Sequence, residues 1–346
     1  MLFGSGGEVV HVDAEPAWAR RLVARAVGGA ALESAGAVPT VHVRIEADAS
    51  AFSREGLRPI TRGAYSDGTR TLLVNACGSG FDVLIGAGDR LDVTARYRPG
   101  TGLRVANLVL RQRFGLLTGQ VLVHYPVLWQ AGRRGRVPLH ASVLRIGDHT
   151  LLLAGPGGVG KSTVVLAALA AGGVATADNL CAADGNHCFG LAEPLRTDAV
   201  GGRAGQPHRP GGHTSHGRIE LPLACRVAVL EPDRLVLLER GERGERGERG
   251  ERGERTEIAK LSAAQAARAL AAGTYAAGEL RRYWAFAATL ALATGLGPAH
   301  PPVSTVATRY AERLAGRRVR VGDGATVSAA DLCGPDPVST RRGTHE

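Results

Sequence analysis

The sequence predicts an α/β core of alternating strands and helices, preceded by an α+β domain and followed by C-terminal helices. Three observations predict this fold class. The chain of 346 residues is 44% hydrophobic and 21% charged, a globular balance, and its length suits two domains. Apolar runs between Gly, Pro and Asp predict strands, whereas apolar residues three and four positions apart predict helices. A glycine-rich turn in mid-chain separates one such strand from one such helix. We expect an N-terminal domain over residues 1–136, the core domain over 137–333 and a flexible tail over 334–346.

The composition argues against several classes of protein. No run of eighteen apolar residues occurs, so we expect no membrane-spanning helix. The first residues lack the basic start and apolar core of a secretory signal. The five cysteines form no CxxC pair, which indicates a reducing compartment rather than a disulfide framework or a zinc site. These features predict a cytoplasmic protein.

The net charge of +10 comes almost entirely from arginine, because Lys161 and Lys260 are the only lysines among 42 basic residues. A coding bias explains this excess most simply, although a positive field also favours anionic partners such as nucleotides. Aromatic residues make up 4% and are not interleaved with the arginines, which argues against nucleic acid as a partner. In such a chain, a lysine indicates that the ammonium group itself is needed.

The N-terminal domain carries no recognisable catalytic motif. Apolar spacing predicts helices over residues 18–31 and 106–118. Strands are predicted at residues 41–45, 70–74, 81–85 and 90–97. The sequence therefore predicts an α+β unit here without giving it a role.

The core domain begins with a strand, a Gly-Asp turn, a second strand, a glycine-rich loop, a helix and a third strand. In chain order these strands, loop and helix are predicted at residues 138–146, 149–154, 155–163, 164–171 and 174–177. The third strand ends directly before Asp178.

The remainder of the chain combines loops with helices. Residues 201–217 are rich in Gly, Pro and His and predict a long mobile loop, and the GER repeats within 239–255 predict a solvated one. Strands at 226–230 and 234–238 flank a Glu-Pro-Asp turn and predict a hairpin. Helices are predicted at 263–272, with Ser262 as the N-cap, and at 279–294 and 304–314.

The segment from Gly155 to Ser162 matches the phosphate-binding P-loop, or Walker A motif, at every required position. The glycines let successive backbone N–H groups face phosphate oxygens, and the following helix adds its positive N-terminal end. Lys161 reaches the β- and γ-phosphates, and the Ser162 hydroxyl can bind Mg²⁺. We therefore expect ATP and Mg²⁺ as ligands. The expected contact residues are Gly155, Gly157, Gly158, Val159, Gly160, Lys161, Ser162 and Thr163.

Asp178 is the candidate second element of this site. It lies seventeen residues after Lys161, a distance that suits one helix and a short return strand. An aspartate at the end of that strand would hold the metal ion or position the nucleophile, and a turn or capping aspartate is the alternative. His140, on the strand before the P-loop strand, is equally compatible with a structural and a catalytic role.

The order of these features resembles a known kinase family. His140, a strand, the P-loop, a helix, a strand and Asp178 are arranged as in the C-terminal domain of HPr kinase/phosphorylase, which is related to the phosphoenolpyruvate carboxykinase fold. The segments LHASVL, GPGGVGKST and ATADN carry the resemblance, which covers roughly residues 138–316. It implies a P-loop kinase core that phosphorylates a serine hydroxyl on a protein, a precursor peptide or a small molecule.

The resemblance also implies roles for individual residues. Lys161 and Ser162 would hold the triphosphate and Mg²⁺. Asp178 would orient or deprotonate the acceptor hydroxyl, close to a catalytic His140.

Further positions complete the implied site. Glu193 would join Ser162 and Asp178 in binding the metal ion. Either Arg196 or Arg218 would neutralise the transferring phosphate, with Arg218 favoured because it follows the Gly/His-rich loop. Asn179 stands where the family has a second aspartate, a departure that puts the metal site and the reverse reaction in doubt.

The sequence thus favours an ATP-dependent kinase that transfers the γ-phosphoryl group to a hydroxyl of a peptide, a protein or a small metabolite. One alternative is a nucleotide-binding regulatory or scaffold protein without phosphotransfer. An ATPase coupled to a partner is another, and nucleic-acid binding through the arginines is a third. The acceptor, the role of residues 1–136 and the presence of a homo-oligomer stay open.

Overall fold

The computed structural model describes residues 1–28, 36–197, 212–214, 217–241, 256–322 and 327–334. Within these ranges helices alternate with strands in four sheets, which confirms the predicted mixed α/β class. In the same ranges, no helix has both the length and the apolar character needed to cross a bilayer. Most of the loop predicted at 201–217, the GER repeats beyond residue 241 and the tail beyond residue 334 lie outside the described residues.

Strands of the N-terminal half form one mixed sheet. They are β1 (Leu2–Ser5), β2 (Glu8–Ala14), β3 (Val41–Glu46), β4 (Arg58–Thr61), β5 (Ala64–Ser66), β6 (Arg70–Leu73), β7 (Phe81–Ala87) and β8 (Leu91–Tyr97). Their spatial order is β1-β2-β3-β8-β7-β6-β5-β4, with β2–β3 and β3–β8 parallel. Buried and more exposed residues alternate along β2 and β8, so one face of the sheet receives helices.

The helices of this half are α1 (Ala17–Ala26), α2 (Thr101–Val109), α3 (Arg111–Gly119) and α4 (Tyr125–Arg133). A π-helical turn at Gln120–His124 joins α3 to α4, and Ala76–Gly78 forms a 3₁₀ turn. The single helix predicted over 106–118 is wrong, because the backbone of Leu110 leaves the helical region (φ −96°, ψ 56°) and separates α2 from α3. The helix predicted over 18–31 ends at Ala26, and residues 29–31 lie outside the described ranges.

The remaining strands form three further sheets. They are β9 (Val137–His140), β10 (Ser142–Ile146), β11 (His149–Ala154), β12 (Val174–Ala177), β13 (Leu180–Ala183), β14 (Cys188–Gly190), β15 (Leu195–Thr197), β16 (Gly212–His213), β17 (Ile219–Leu221), β18 (Val229–Leu230), β19 (Arg234–Arg240), β20 (Glu257–Lys260) and β21 (Ala315–Val321). The orders are β12-β10-β11-β19-β21-β20, β18-β14-β13-β9 and β15-β17-β16.

Two strand predictions are wrong for the same physical reason. The strand predicted over 138–146 is two strands: β9 pairs with β13 in one sheet, and β10 pairs with β11 and β12 in another. The hairpin predicted from strands at 226–230 and 234–238 does not form. β18 pairs with β14 in one sheet, whereas β19 lies between β11 and β21 in another. Residues 137–144 and 235–238 are buried throughout, and a continuous apolar run does not show where a strand changes sheets.

The later helices are α5 (Lys161–Ala170), α6 (Ala263–Ala276), α7 (Tyr283–Thr294), α8 (Val303–Arg313) and α9 (Ala329–Cys333), with a 3₁₀ turn at Gly278–Leu280. Ser262 caps α6 as predicted, in a capping box with Gln265. Buried side chains of α7, including Tyr283 and Phe286, pack in one hydrophobic cluster with the N-terminal sheet. The two halves of the chain therefore share a core.

Candidate nucleotide-binding and phosphotransfer site

Strand direction brings the P-loop and Asp178 together. The loop follows β11, and Asp178 follows β12. Both strands pair antiparallel with β10, so they run in the same direction and their carboxyl ends meet at one edge of the sheet. Ligands of open α/β sheets bind at this edge, where loops leave the strand ends.

Two glycines allow the loop to take its path. Gly155 has φ of 150°, and a Cβ there would lie 2.5 Å from the carbonyl oxygen of Leu238. Gly160 has φ of 109° and begins α5 as a left-handed N-cap. At the end of β19, which is parallel to β11, Arg240 Nη2 donates to the carbonyl of Gly158 at 2.7 Å. The loop is thus held by backbone shape and by one neighbouring strand.

An open cavity of about 140 Å³ lies over the loop. Its lining contains Gly157, Gly158, Gly160, Lys161, Ser162, Thr163, Asp178, Asn179, Arg196, Thr197 and Arg218. Most of the predicted nucleotide contacts are therefore brought together. Gly155 and Val159 lie outside this lining, and the Val159 side chain is buried in a hydrophobic cluster.

Lys161 is buried although it opens a helix at the cavity. Its Nζ donates to the carbonyl oxygens of Gly155 at 2.7 Å and Pro156 at 3.1 Å. Burial lowers the pKa of this ammonium to about 8, partly offset by the nearby Asp178 carboxylate. The lysine therefore spans the P-loop from within and is held against backbone acceptors.

Asp178 is buried, and its two carboxylate oxygens differ. Oδ2 accepts hydrogen bonds from Ser162 Oγ at 3.1 Å and from the backbone N–H of Arg196 at 3.2 Å. Oδ1 is buried without a hydrogen-bond partner. Burial raises the pKa of this carboxyl, and the two hydrogen bonds oppose that shift. An unpartnered buried oxygen is costly, which indicates that a ligand or cation completes the site.

These atoms fit a magnesium ion. Mg²⁺ is held in proteins by hydroxyl and carboxylate oxygens together with substrate phosphates, rather than by a full protein cage. Ser162 and Asp178 supply one hydroxyl and one carboxylate, already 3.1 Å apart. Across the described ranges, no three His, Cys, Asp or Glu side chains come together as a metal site of their own.

His140 lies behind the cavity, against Asn179. Its Nδ1 is 3.2 Å from the carbonyl of Gly273, and its Nε2 is 3.1 Å from Asn179 Oδ1. Burial lowers the pKa of His140, with Lys161 adding to the effect, so the imidazole is neutral and can donate to only one of these acceptors. Asn179 Nδ2 meanwhile is buried without a partner. Exchanging the amide oxygen and nitrogen of Asn179 lets Nδ2 donate to Nε2 and leaves an oxygen acceptor at the unpartnered position.

We therefore expect His140 to be the neutral Nδ1–H tautomer. Long-range ¹⁵N–¹H spectra of protein labelled at histidine nitrogens would show the tautomer at neutral pH, and His140→Gln would identify the signal. A ring protonated on Nε2 alone, or on both nitrogens, would contradict this arrangement.

Glu193 is buried beside the site but does not line the cavity. Its Oε1 accepts from the backbone N–H of Leu180 at 2.8 Å, and Oε2 lies 3.8 Å from Arg196 Nη2. Burial raises the pKa of Glu193 to about 7, against the opposing effect of Arg196. These contacts hold Glu193 behind Asp178. The role of Glu193 as a metal ligand stays a prediction.

The free energy of unfolding should fall as pH rises from about 4.5 to about 7, because the folded state holds the Glu193 proton more tightly than the unfolded chain. The full difference corresponds to at most about 3 kcal/mol. Glu193→Gln should lack this loss, so its urea-unfolding free energies should approach or exceed those of the wild type above pH ~7. If the unfolding free energies of wild type and variant differ by the same amount at every pH in this range, Glu193 does not lose a proton there.

Arg196 and Glu279 are more central than the sequence indicated. Arg196 lines the cavity, its backbone holds Asp178, and its Nη1 lies 3.5 Å from Glu279 Oε1. The carbonyl of Glu279 accepts a hydrogen bond from Tyr125 Oη at 2.9 Å, which ties the N-terminal half to the site. No motif spacing marks Glu279 or Arg240, because each reaches the site only through tertiary packing. Arg218 lies on the cavity as predicted.

Comparisons with known proteins leave the family undetermined. No protein-family model matches the chain, and no curated protein matches it. Among solved structures, the chain is similar to the HPr(Ser) kinase/phosphatase from Coxiella burnetii, with 18% sequence identity and a TM-score of 0.23. That similarity covers 35% of this chain and 70% of the other. The functional interpretation below therefore starts from the site itself.

Proposed function

We propose that the protein is an ATP-dependent kinase with a P-loop core of the HPr kinase type, which transfers the γ-phosphoryl group to a hydroxyl. The observation that carries this proposal is the convergence of Lys161, Ser162 and Asp178 on one cavity at the carboxyl ends of β11 and β12. Phosphoryl transfer requires a lysine for the phosphates, a hydroxyl–carboxylate pair for the metal ion and a group that positions the nucleophile. Lys161, Ser162 and Asp178 are residues of the types that these tasks need, which supports the proposal.

Each of these residues would have a separate role in phosphoryl transfer, which follows from its position. Lys161 would leave its backbone acceptors for the β- and γ-phosphates, whose charge compensates for its burial. Asp178 Oδ1 is the oxygen left to accept a hydrogen bond from the acceptor hydroxyl. Arg196 and Arg218, both on the cavity, would neutralise the transferring group. Ser162 and Asp178 would hold Mg²⁺, which when bound neutralises phosphate charge.

Label transfer tests the proposal directly. Wild-type protein and Lys161→Ala would be incubated with γ-labelled ATP, Mg²⁺ and fractionated peptides, proteins and metabolites of the native cell. A labelled species that forms only with wild-type protein supports the kinase and identifies its acceptor by mass. Nucleotide binding without a labelled product would contradict it, and phosphate release alone would indicate an ATPase.

Asn179 favours one alternative, a nucleotide-binding regulatory protein without phosphotransfer. It supplies no charge where a second carboxylate would strengthen metal binding. Turnover that rises strongly in Asn179→Asp would indicate a catalytically reduced native site. Turnover that falls or stays equal would show that the neutral side chain suits the native chemistry.

A further inference from the structure

Helices α2 and α3 expose an apolar surface on the N-terminal half. Buried Asn107 anchors α2, donating to the carbonyl of Ser79 and to Tyr97 Oη at 3.1 Å each. The polar side chain thus points inward, while apolar side chains face solvent, the reverse of an ordinary surface helix. We call this region the α2–α3 surface; its apolar members, between 37% and 73% exposed, are Val105, Leu108, Val109, Leu110 and Leu116. Val105, Leu108 and Val109 lie three and four positions apart on α2, and an exposed apolar helix face is typical of an interaction site.

The charged residues of α2 and α3 are all positive. Arg104, Arg111 and Arg113 lie among the apolar residues, and the sequence has no aspartate or glutamate between Asp92 and Asp148. None of these three arginines forms an ion pair with any acidic residue that the structure describes. A second copy of the chain packed on itself here would bring arginine against arginine, so the complementary partner is acidic as well as apolar.

A small cavity of about 30 Å³ lies beside this surface, between α1, α3 and the segment that contains Pro194 and Arg196. The ion pair of Arg25 and Glu220 also lines it. Leu116 belongs both to the α2–α3 surface and to the lining of this cavity. Arg196 lines this cavity and also the cavity over the P-loop. The small cavity thus borders the α2–α3 surface at Leu116 and the cavity over the P-loop at Arg196.

We propose that the α2–α3 surface docks the phosphoryl acceptor, and that this acceptor is a peptide segment with acidic and apolar residues. Its apolar side chains cover Leu108 and Val109, its carboxylates pair with the arginines, and the chain continues past Leu116 to present a hydroxyl near Arg196. An apolar groove that receives one face of a helix is a common mode of peptide recognition. This inference rests on the proposed kinase function.

Fluorescence anisotropy without nucleotide separates docking from catalysis. The probe is a fluorescein-labelled helical peptide of Glu, Leu and Ala with one serine, about 18 residues long. A peptide with Lys in place of Glu is the charge control. The protein variants are Leu108→Asp and Arg104→Glu on the surface. Leu292→Asp is the matched control, since Leu292 on α7 is 70% exposed and Leu108 is 62% exposed.

We expect the acidic peptide to bind, Leu108→Asp and Arg104→Glu each to weaken binding at least about tenfold, and Leu292→Asp to leave it unchanged. Absence of binding up to about 1 mM, equal binding by all variants, or equal binding of the lysine peptide would overturn the proposal. So would a wild-type dimer that Leu108→Asp dissociates in sedimentation, or retention by phosphatidylserine vesicles that this variant abolishes. If the peptide binds as expected but no acceptor is labelled by ATP, the kinase function fails while docking stands.

Discussion

Lys161→Ala is expected to lower phosphotransfer by at least about 10²-fold without unfolding the protein. The ammonium is the P-loop's only side-chain cation, at the first residue of α5 and on the cavity. Alanine leaves the loop glycines and the helix N-terminus but removes the charge that opposes the developing negative charge on the phosphates. The loss of activity is measured as turnover of γ-labelled ATP with the acceptor that the label-transfer experiment identifies.

The chain supplies its own control for this substitution. Lys260, the other lysine, is exposed at the end of β20, and Lys260→Ala should keep full activity. Burial lowers the pKa of Lys161 to about 8, so the folded state disfavours the charged ammonium at neutral pH and its removal relieves that cost. Lys161→Arg should remain poorly active, because a planar guanidinium does not replace a point charge inside the loop. If Lys161→Ala keeps its phosphotransfer activity, the P-loop lysine has no part in the reaction and the proposed mechanism is wrong.

Asp178→Asn is expected to lower turnover at least about 10²-fold and at the same time to stabilise the fold. The amide keeps the shape of the carboxyl group but neither accepts a proton nor carries charge to a metal ion. Burial raises the pKa of Asp178, so the folded state favours the protonated form. Asp178 therefore contributes most to stability at pH values below its pKa in the unfolded chain. This contribution is lost as pH rises through its pKa in the folded state. A neutral asparagine avoids this loss.

Asp184→Asn is the matched control, with the opposite expected sign for stability. Asp184 accepts hydrogen bonds from the backbone N–H groups of Asn186 and His187, and the pKa of this carboxyl is lowered. Its ionised form thus stabilises the fold at neutral pH, and that contribution disappears as pH falls through the lowered pKa. We expect Asp184→Asn to keep its activity and to unfold at a lower urea concentration. A destabilised Asp178→Asn with full activity would contradict the role given to Asp178.

Local sequence determined those features that depend on a few neighbouring residues. The strand before Gly155, the strand that ends before Asp178 and the Ser262 cap all occur where the sequence predicted them. The helix after the loop was also predicted, but it begins at Lys161, three residues earlier than expected. Each depends on backbone conformation or on hydrogen bonds between residues close in the chain. The predictions over 138–146 and 226–238 failed because buried apolar runs are compatible with more than one sheet.

Tertiary structure decided which distant groups share the site. The seventeen-residue spacing predicted Asp178 as the second element of the site, but the contact with Ser162 forms because β10 pairs with both β11 and β12. Arg196, Glu279 and the inward-facing Asn107 acquire their places through contacts between elements far apart in sequence. The conformation of the loop from Gly155 to Ser162 is thus determined by local backbone chemistry, whereas the groups that face it across the cavity are placed by long-range packing and burial.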